Sequence, residues 1–381
     1  MMEYRVALVM KIASILLTCC SKKEQQVEML VPEYHIKNHV FIDSIKSEDL
    51  IDNFEYIALE TTEDCLIGEV DDLQIADEKL YVVSQRRVLV FDFDGKFVFK
   101  IDQIGRGPGE YQRIDNISID NGELFLYDNT QYRVLCYDSN NGSHLFTHTL
   151  DYSARHAIVR GGLAYADRGE IPNRYISNDD RLLIDRIGER GAIRSFFPQS
   201  NTIFQSNCYL DVYDNGIYWI DPLLNRVYKV DSVGVKSYLF FDFGADNVPT
   251  DLPKDTQLQE LSDRNKKYII SEVCDNAYFV LLNIISGEEL MYMRFNKELQ
   301  VNHVFKNISV PLYQTTPTAQ TVYKNKFYKV VPSWEVMFMK HNMANKKLQL
   351  NEDHRDYGIY KAVMERTESD NPLVARFDFK R

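Results

Sequence analysis

A short pattern recurs six times along this chain and constrains its fold more than any other feature. In each copy, turn residues precede an apolar residue, which an aromatic residue usually follows. The apolar positions are Leu80, Leu124, Leu163, Ile217, Ala277 and Phe327. They lie 44, 39, 54, 60 and 50 residues apart. Six copies at a period of about 50 residues indicate a solenoid or a propeller.

The residues of each copy predict short β-strands. The first copy predicts strands at Asp72–Ala76, Leu80–Ser84, Val88–Phe93 and Phe97–Ile101, and the second at Ile114–Ile119, Glu123–Tyr127, Val134–Tyr137 and His144–Leu150. Asp94-Gly95 separates two of these apolar runs, and this dipeptide is a strong hairpin signal. Four consecutive strands in each of six units predict an all-β fold, a six-bladed β-propeller with four-stranded blades.

Other repeat architectures fit less well. The chain has no Trp-Asp dipeptide, which is the signature of tryptophan-aspartate propellers. The Gly-Gly pair typical of kelch propellers occurs only once in the sequence, at Gly161-Gly162. A β-sandwich would not explain a six-fold period. Asp255–Lys267 and His354–Glu368 predict short helical insertions. A propeller must close its ring, so we expect Tyr56–Leu59 and Leu373–Phe379 to complete one blade together.

Composition and charge limit the function classes. The 381 residues include 44 Lys and Arg against 56 Asp and Glu, a net charge of −12 that argues against a nucleic-acid partner. The 24 Tyr and 21 Phe against two Trp favour β-structure. A hydrophobic content of 45% excludes disorder as the main state.

The N-terminus predicts an export signal followed by a tether. Arg5 precedes the apolar stretch Val6–Leu17, which Lys11 interrupts and which is too short to span a membrane. The sequence from Leu16 to Ser21 resembles the lipobox of bacterial lipoproteins, with Cys20 as the lipidated residue. Cys19 as the lipidated residue, a plain signal peptide and a start at Met10 remain alternatives. We expect a signal over 1–20, a tether over 21–44 and the propeller over 45–381.

A family resemblance rests on three segments. They are Ile104–Tyr111, with the sequence IGRGPGEY, Val90–Lys96, with VFDFDGK, and Asn371–Val374. All three resemble the 6-bladed β-propeller lipoprotein family common in Bacteroidota, whose blades are NHL-like. The resemblance covers roughly residues 50–381 and implies a propeller fold with an envelope location. It implies little about activity. We therefore expect a bacterial envelope protein that a lipid anchors to a membrane without spanning it.

Four cysteines remain in the expected propeller. Cys65, Cys136, Cys208 and Cys274 are separated by 71, 72 and 66 residues, with no CxxC pair. They could form disulfides with three possible connectivities. Wide, even spacing in a repeat protein favours instead one buried free cysteine in each of several units.

No motif identifies a catalytic or cofactor site. The glycines at 105, 107 and 109 resemble a phosphate-binding loop, but a strand rather than a helix is predicted to follow them. The aspartates lack the spacing of a calcium loop. His144 and His148 lie about 13 Å apart along one strand. We expect no metal and no cofactor.

The candidate binding site is one rim of the propeller. Loops that join blades share a face with loops that join second to third strands, so Gly105–Tyr111 should lie near Gln85–Arg87, Asn129–Arg133 and Pro222–Arg226. The arginines of this rim are Arg86, Arg87, Arg106, Arg113, Arg133 and Arg226. In an acidic chain they should create a local positive potential. We expect Arg106, Glu110, Tyr111, Tyr132 and Arg133 to bind an anionic or polyhydroxylated ligand, unless each arginine pairs with a neighbouring carboxylate.

These features favour a binding module over an enzyme. The aromatic residues suit a carbohydrate or peptide ligand, and a protein partner is also possible. The alternative is a metal-dependent hydrolase or lyase with its site in the propeller channel, which rests on fold analogy alone. The sequence does not decide the ligand, whether catalysis occurs, the membrane face or the oligomeric state.

Overall fold

Short strands joined by tight turns build six small sheets. The structure is a computed structural model that describes residues 34–168, 180–189, 192–198, 209–213, 216–249 and 267–381. In chain order the strands are β1 (Tyr34–Ile36), β2 (Val40–Lys46), β3 (Ile51–Ala58), β4 (Val70–Ala76), β5 (Lys79–Ser84), β6 (Arg87–Asp92), β7 (Phe97–Ile101), β8 (Asn116–Asp120), β9 (Glu123–Asp128), β10 (Arg133–Asp138), β11 (His144–Thr149), β12 (His156–Arg160), β13 (Leu163–Asp167), β14 (Asp180–Arg186), β15 (Ala192–Pro198), β16 (Tyr209–Tyr213), β17 (Gly216–Asp221), β18 (Arg226–Val230), β19 (Val235–Phe241), β20 (Ile269–Asp275), β21 (Phe279–Ser286), β22 (Glu289–Asn296), β23 (Val301–Ser309), β24 (Thr321–Tyr323), β25 (Lys326–Val331) and β26 (Leu373–Phe379). The helices are α1 (Ser47–Leu50), α2 (Ser333–Asn345) and α3 (Tyr357–Met364), with a 3₁₀ turn at Gly244–Asp246.

The sheets are the six blades of a β-propeller. Blades one to five are β4–β7, β8–β11, β12–β15, β16–β19 and β20–β23, and blade six is β24, β25, β26 and β3. The first strands β4, β8, β12 and β16 contact one another in turn, β20 contacts β24, and β24 of blade six contacts β4 of blade one. This confirms the predicted fold, including the four strands predicted in each of blades one and two.

The recurring apolar positions mark the second strand of each blade. Leu80 and Leu124 lie in β5 and β9, which are buried along almost their whole length. Ala277 is the exception, because it lies in the turn just before β21. Tyr81 of blade one and Ile117 of blade two belong to one cluster of buried side chains. Similar clusters lie between blades six and one, two and three, and three and four, so the core of these blades is a series of layers between sheets.

Polar side chains of the first strands form hydrogen bonds with backbone groups at the free inner edge of the next blade. The carboxylate of Asp72 in β4 accepts a hydrogen bond from the Ile117 amide of blade two. Asn116 of β8 accepts from the Ala157 amide at 3.0 Å and donates to its carbonyl at 2.7 Å. The Ser118 hydroxyl accepts from the Val159 amide at 3.0 Å. Since an unpaired backbone group away from bulk water is costly, these contacts link neighbouring blades around the channel.

Both ends of the propeller sequence meet in blade six. β26 pairs in antiparallel fashion with β3, and Tyr56 lies opposite Ala375. The ring of Phe377 stacks on Phe54, with centroids 6.0 Å apart, and on Phe327, at 5.8 Å. The predicted closure by the two terminal segments is confirmed.

The segment before β3 adds a strand to two blades. β1 pairs in parallel with β19, the outer strand of blade four, and β2 pairs in parallel with β23, the outer strand of blade five. We expected a tether over 21–44. Residues 34–36 and 40–44 instead belong to these edge strands, while residues 21–33 lie outside the described residues.

The α-helices among the described residues are few and lie within or beside blade six. α3 falls inside the predicted segment His354–Glu368. α2 was not predicted, and most of the predicted helix Asp255–Lys267 lies outside the described residues. No helix in the described part of the chain is long and apolar enough to cross a membrane. Cys65, Cys136 and Cys274 are free and buried, and Cys208 is not among the described residues.

Candidate functional site

One face of the propeller carries the loops that join blades and the loops that join second to third strands. We call it the loop face. On it, the segment 102–115 runs from blade one to blade two, and the turn before β10 lies beside it. The Gln131 side-chain amide donates to the Gly105 carbonyl at 3.3 Å, and the Tyr111 hydroxyl donates to the Arg86 carbonyl at 2.9 Å. The structure therefore brings together the first three loops of the predicted rim.

The loop around Gly105 is held by its own residues. The Gly105 amide donates to the Tyr111 carbonyl at 2.8 Å. The Glu110 carboxylate accepts from the Gly107 amide at 2.7 Å. A Cβ atom at position 105 would clash with the Glu110 carboxylate, which would have to move from its place beside the Gly107 amide. These contacts use Glu110 to fold the loop.

Tyr111 is also part of the loop structure. Its side chain is buried, and its hydroxyl also lies 3.1 Å from the Ile101 carbonyl. Burial raises the pKa of this phenol well above its usual value. The structure thus buries Tyr111 beneath the rim, while the half-buried Glu110 holds the loop through its carboxylate.

Three predicted residues lie nearer the solvent. Arg106 is exposed, and its Nε donates at 2.6 Å to the Gln112 side chain when the amide oxygen faces it. Tyr132 is 48% exposed and has a left-handed backbone, with φ of 53°. Arg133 begins β10 and is half-buried. These side chains are the part of the predicted set that a ligand could reach.

Other arginines of the rim are engaged by protein groups. Arg87 donates to the Leu66 carbonyl at 3.1 Å, and Arg113 pairs with Asp115 at 2.8 Å. The guanidinium of Arg226 lies 4.1 Å from the centre of the Phe240 ring. This agrees with a structural role for the arginines that begin third strands, such as Arg87 and Arg226.

A cleft of about 650 Å³ opens at blades five and six. The connection from β23 to β24 lines it, as does α2, which joins the second and third strands of blade six. Both are loop-face elements by topology. Its lining residues are Glu272, Asn283, Leu290, Tyr292, Val310, Pro311, Leu312, Gln314, Thr316, Thr318, Ala319, Gln320, Lys329, Trp334, Glu335, Phe338, Met339 and Asn342.

Glu272 lies at a distortion of the first strand of blade five. The pairing of β20 with β21 shifts between Ser271 and Cys274, as at a β-bulge. Glu272 has φ of 46°, and it is the only non-glycine residue with positive φ inside a strand of the described chain. The Asn283 amide donates to its carboxylate. Partial burial raises the pKa of Glu272. The bulge therefore directs an exposed carboxylate into the cleft at the cost of backbone strain.

A chain of hydrogen bonds through Thr315 connects Lys329 of blade six to Glu335 of α2. The Lys329 ammonium donates to the Thr315 hydroxyl at 2.9 Å, and this hydroxyl donates to the Glu335 carboxylate. Lys329 and Glu335 are 4.0 Å apart, and both side chains are about one-fifth exposed, at 19% and 21%. Burial lowers the pKa of Lys329. The cleft thus holds two carboxylates and one ammonium.

The aromatic side of the cleft comes from α2. Val336, Met339 and Met343 pack into the core between this helix and blade six. Trp334 and Phe338, four residues apart, lie on another part of the helix surface and are 71% and 61% exposed. Large aromatic side chains of this exposure beside polar groups are typical of ligand sites.

The acidic side chains of the central channel differ from Glu272 of the cleft in how strongly burial raises their pKa. Asp211 of β16 accepts a hydrogen bond from the Tyr213 hydroxyl. Burial raises the pKa of Asp211 to about 7 and that of Asp72 to about 6. In the part of the chain that the structure describes, no group of three or more His, Cys, Asp or Glu side chains is placed to hold a metal ion.

Comparisons with known proteins place the chain in a family. Residues 33–377 match the family described as Domain of unknown function (DUF4934). The chain belongs to this family. The DUF4934 match and the observed fold agree with the six-bladed propeller implied by the resemblance. NHL-like repeats and the role of the IGRGPGEY segment stay predictions.

A solved structure shows the same fold. A protein of Bacteroides fragilis described as exported has a TM-score of 0.70 at 15% identity, over 92% of this chain and 100% of that one. Virginiamycin B lyase from Staphylococcus aureus has a TM-score of 0.37 at 12% identity, over 73% and 80%. The extracellular domain of a one-component system of B. thetaiotaomicron has 0.36 at 13%, over 74% and 31%. The TM-scores of the last two proteins are too low to show a shared fold. No curated protein matches the chain.

Sequence reasoning identified the loop face but not the cleft. A signal for α2 was present, because Val336, Met339 and Met343 have helical spacing and follow Pro332. Glu272 gave no such signal. Its position depends on a bulge, which appears only when β20 and β21 are paired.

Proposed function

We propose that this DUF4934 chain is an exported protein of the bacterial envelope that binds a ligand on its loop face. The cleft at blades five and six is the principal site. The observation that carries this proposal is the exposure of Trp334 and Phe338 beside Glu272 and the Lys329–Glu335 pair. Exposed apolar rings are unfavourable in water and gain from covering by a ligand.

Arg106, Tyr132 and Arg133 form a second part of the proposed surface. They lie on the same face at blades one and two, where an anionic or polyhydroxylated group could reach them. Glu110 and Tyr111 act there through the loop that they hold. The alternative of a metal-dependent hydrolase or lyase is not proposed, because no specific observation among the described residues favours it.

Binding can be followed through tryptophan fluorescence. Trp334 is exposed and Trp219 is 3% exposed, so a ligand in the cleft should change mainly the signal of Trp334. Candidate oligosaccharides and peptides are screened for a shift of emission and for protection from acrylamide quenching. Trp334→Ala should lower the affinity of a hit about tenfold, since a stacked aromatic contact contributes about 1 kcal/mol or more.

Two variants serve as controls. Phe146→Ala removes a ring that is 37% exposed on the outer strand of blade two, so it should leave affinity unchanged. Tyr132→Ala tests the second part of the surface. If Trp334→Ala binds every hit as tightly as the parent chain, the cleft is not the site.

The envelope location rests on the signal and Cys20, both outside the described residues, and on the exported protein with the same fold. Labelling with a fatty-acid probe in a bacterial host should give a lipidated band for the parent chain and for Cys19→Ala. Cys20→Ala should lose it. Label retained by Cys20→Ala would contradict lipidation at this residue.

A further inference from the structure

We infer that the cleft selects an uncharged sugar ring, which stacks on Trp334 while its hydroxyls bond to the polar groups around Glu272 and Lys329. This inference rests on the proposed function, because it names the ligand class of the same site. Its basis is the mixture of hydrogen-bonding groups, the arrangement of charge and the position of the aromatic rings.

The polar groups of the cleft both donate and accept hydrogen bonds. Asn283 donates to Glu272, which leaves its carbonyl oxygen as an acceptor. The Gln320 oxygen accepts from the Val330 amide at 2.8 Å, which leaves its nitrogen as a donor. Tyr292 also lines the cleft. A sugar hydroxyl donates and accepts at once, so a ring with several hydroxyls can satisfy such a mixed set.

An ionised ligand of either sign meets at least one like charge in the cleft. An anionic ligand would approach the carboxylates of Glu272 and Glu335. Among the described residues that line the cleft, Lys329 carries the only ammonium, and it is already bonded to Thr315. A cationic ligand would meet the Lys329 ammonium, which lies 4.0 Å from Glu335 and already offsets one of the two negative charges of the cleft. Like charges in a partly desolvated cleft repel strongly. A neutral ligand meets neither repulsion.

The aromatic rings match one face of a sugar. The C–H groups of a pyranose face are apolar and slightly positive, and the face of an indole ring is negative. Trp334 offers this face with 71% of its surface exposed, and Phe338 extends it by one helical turn. A cleft of about 650 Å³ has room for a few sugar units.

The test compares ligands that differ only in charge. Pectin oligosaccharides and the same oligosaccharides after reduction of their carboxylates to hydroxyls form a matched pair. A pool of neutral plant and yeast oligosaccharides, a chitosan oligomer and a casein peptide digest complete the set. Affinity is measured by calorimetry and by Trp334 fluorescence in the full chain, with Phe146→Ala as the matched aromatic control.

We expect binding from the neutral pool and the reduced oligosaccharides, and about tenfold weaker binding or none from the parent pectin fragments and from chitosan. Trp334→Ala should lose about tenfold in affinity, and Trp334→Phe should recover part of it. Glu272→Gln should narrow the ratio between neutral and acidic ligands, because it removes a repelling charge.

The outcomes separate the inference from the proposed function. Trp334-dependent binding of peptides, of the acidic fragments or of chitosan in preference to neutral sugars would overturn the sugar assignment and leave the cleft as a binding site. If no probe binds, or if Trp334→Ala binds each probe as tightly as the parent chain, both the inference and the proposed site are wrong.

Discussion

At the scale of single residues, Asp211 shows how the channel opposes ionisation. Its carboxyl group has a pKa of about 7 in the fold because of burial, against about 4 for an ordinary aspartate. A carboxyl group whose pKa is higher in the folded chain than in the unfolded chain adds most to stability at pH values below its unfolded pKa. This contribution is lost as pH rises from about 4 to 7, because the unfolded chain ionises first.

Asp211→Asn should therefore stabilise the protein at high pH. The amide keeps an acceptor for Tyr213 and cannot ionise. We expect melting about 2–4 °C higher at pH 8, a shift about a third as large at pH 5, and little difference at pH 4. Thermal unfolding of the variant, the parent chain and the exposed control Asp94→Asn across this range measures the effect. An equal shift at all three pH values would contradict an ionisation cost.

The loop between blades one and two supports a second prediction at this scale. Gly105→Ala should destabilise the chain by about 1–2 kcal/mol, because the new Cβ would displace the Glu110 carboxylate from its hydrogen bond with the Gly107 amide. In the Glu110→Ala background the same change should cost less, since the clashing oxygen is gone. Denaturant unfolding of the two single variants and the double variant gives the coupling energy. Additive effects would show that Glu110 does not restrict position 105.

At the scale of elements, the two N-terminal strands β1 and β2 have a testable role. β1 and β2 cover the outer edges of blades four and five, and exposed edges are sites of unwanted pairing. A chain that begins at Ser47 should fold with an intact propeller. Its β19 and β23 amides should exchange with deuterium faster than in the parent chain, and amides of β7 should not. Unchanged exchange at β23 would mean that the added strand does not protect this edge.

The sequence predicted the elements that form through local interactions and missed those that depend on residues far apart in the chain. The strands of blades one and two were predicted almost to the residue, because alternation and hairpin turns are local. β2 pairs Val40 with His303, a partner that no local pattern indicates. The strained backbone of Glu272 likewise depends on the tertiary fold. The loop face was therefore predictable from strand order, and the cleft was not.

At the scale of the whole molecule, ring closure distinguishes the two ends of the chain. β1 and β2 add to blades that already have four strands, whereas β26 lies between β25 and β3 in the middle of blade six. Its Phe377 contacts aromatic rings on both neighbouring strands, at Phe54 and Phe327. Removal of β26 would separate β3 from the sheet and leave β24 and β25 alone at the junction with blade one.

Truncation after Pro372 should therefore abolish cooperative unfolding, although it removes only nine residues. Loss of the core between blade six and blade one exposes apolar surface on both, so we expect aggregation or a broad transition at a lower temperature. The chain that begins at Ser47 lacks more residues but keeps the ring, and it is the matched control. Calorimetry of the two truncated chains compares them directly. A sharp transition in the C-terminal truncation, within a few degrees of the parent chain, would show that five blades and part of a sixth are stable without closure.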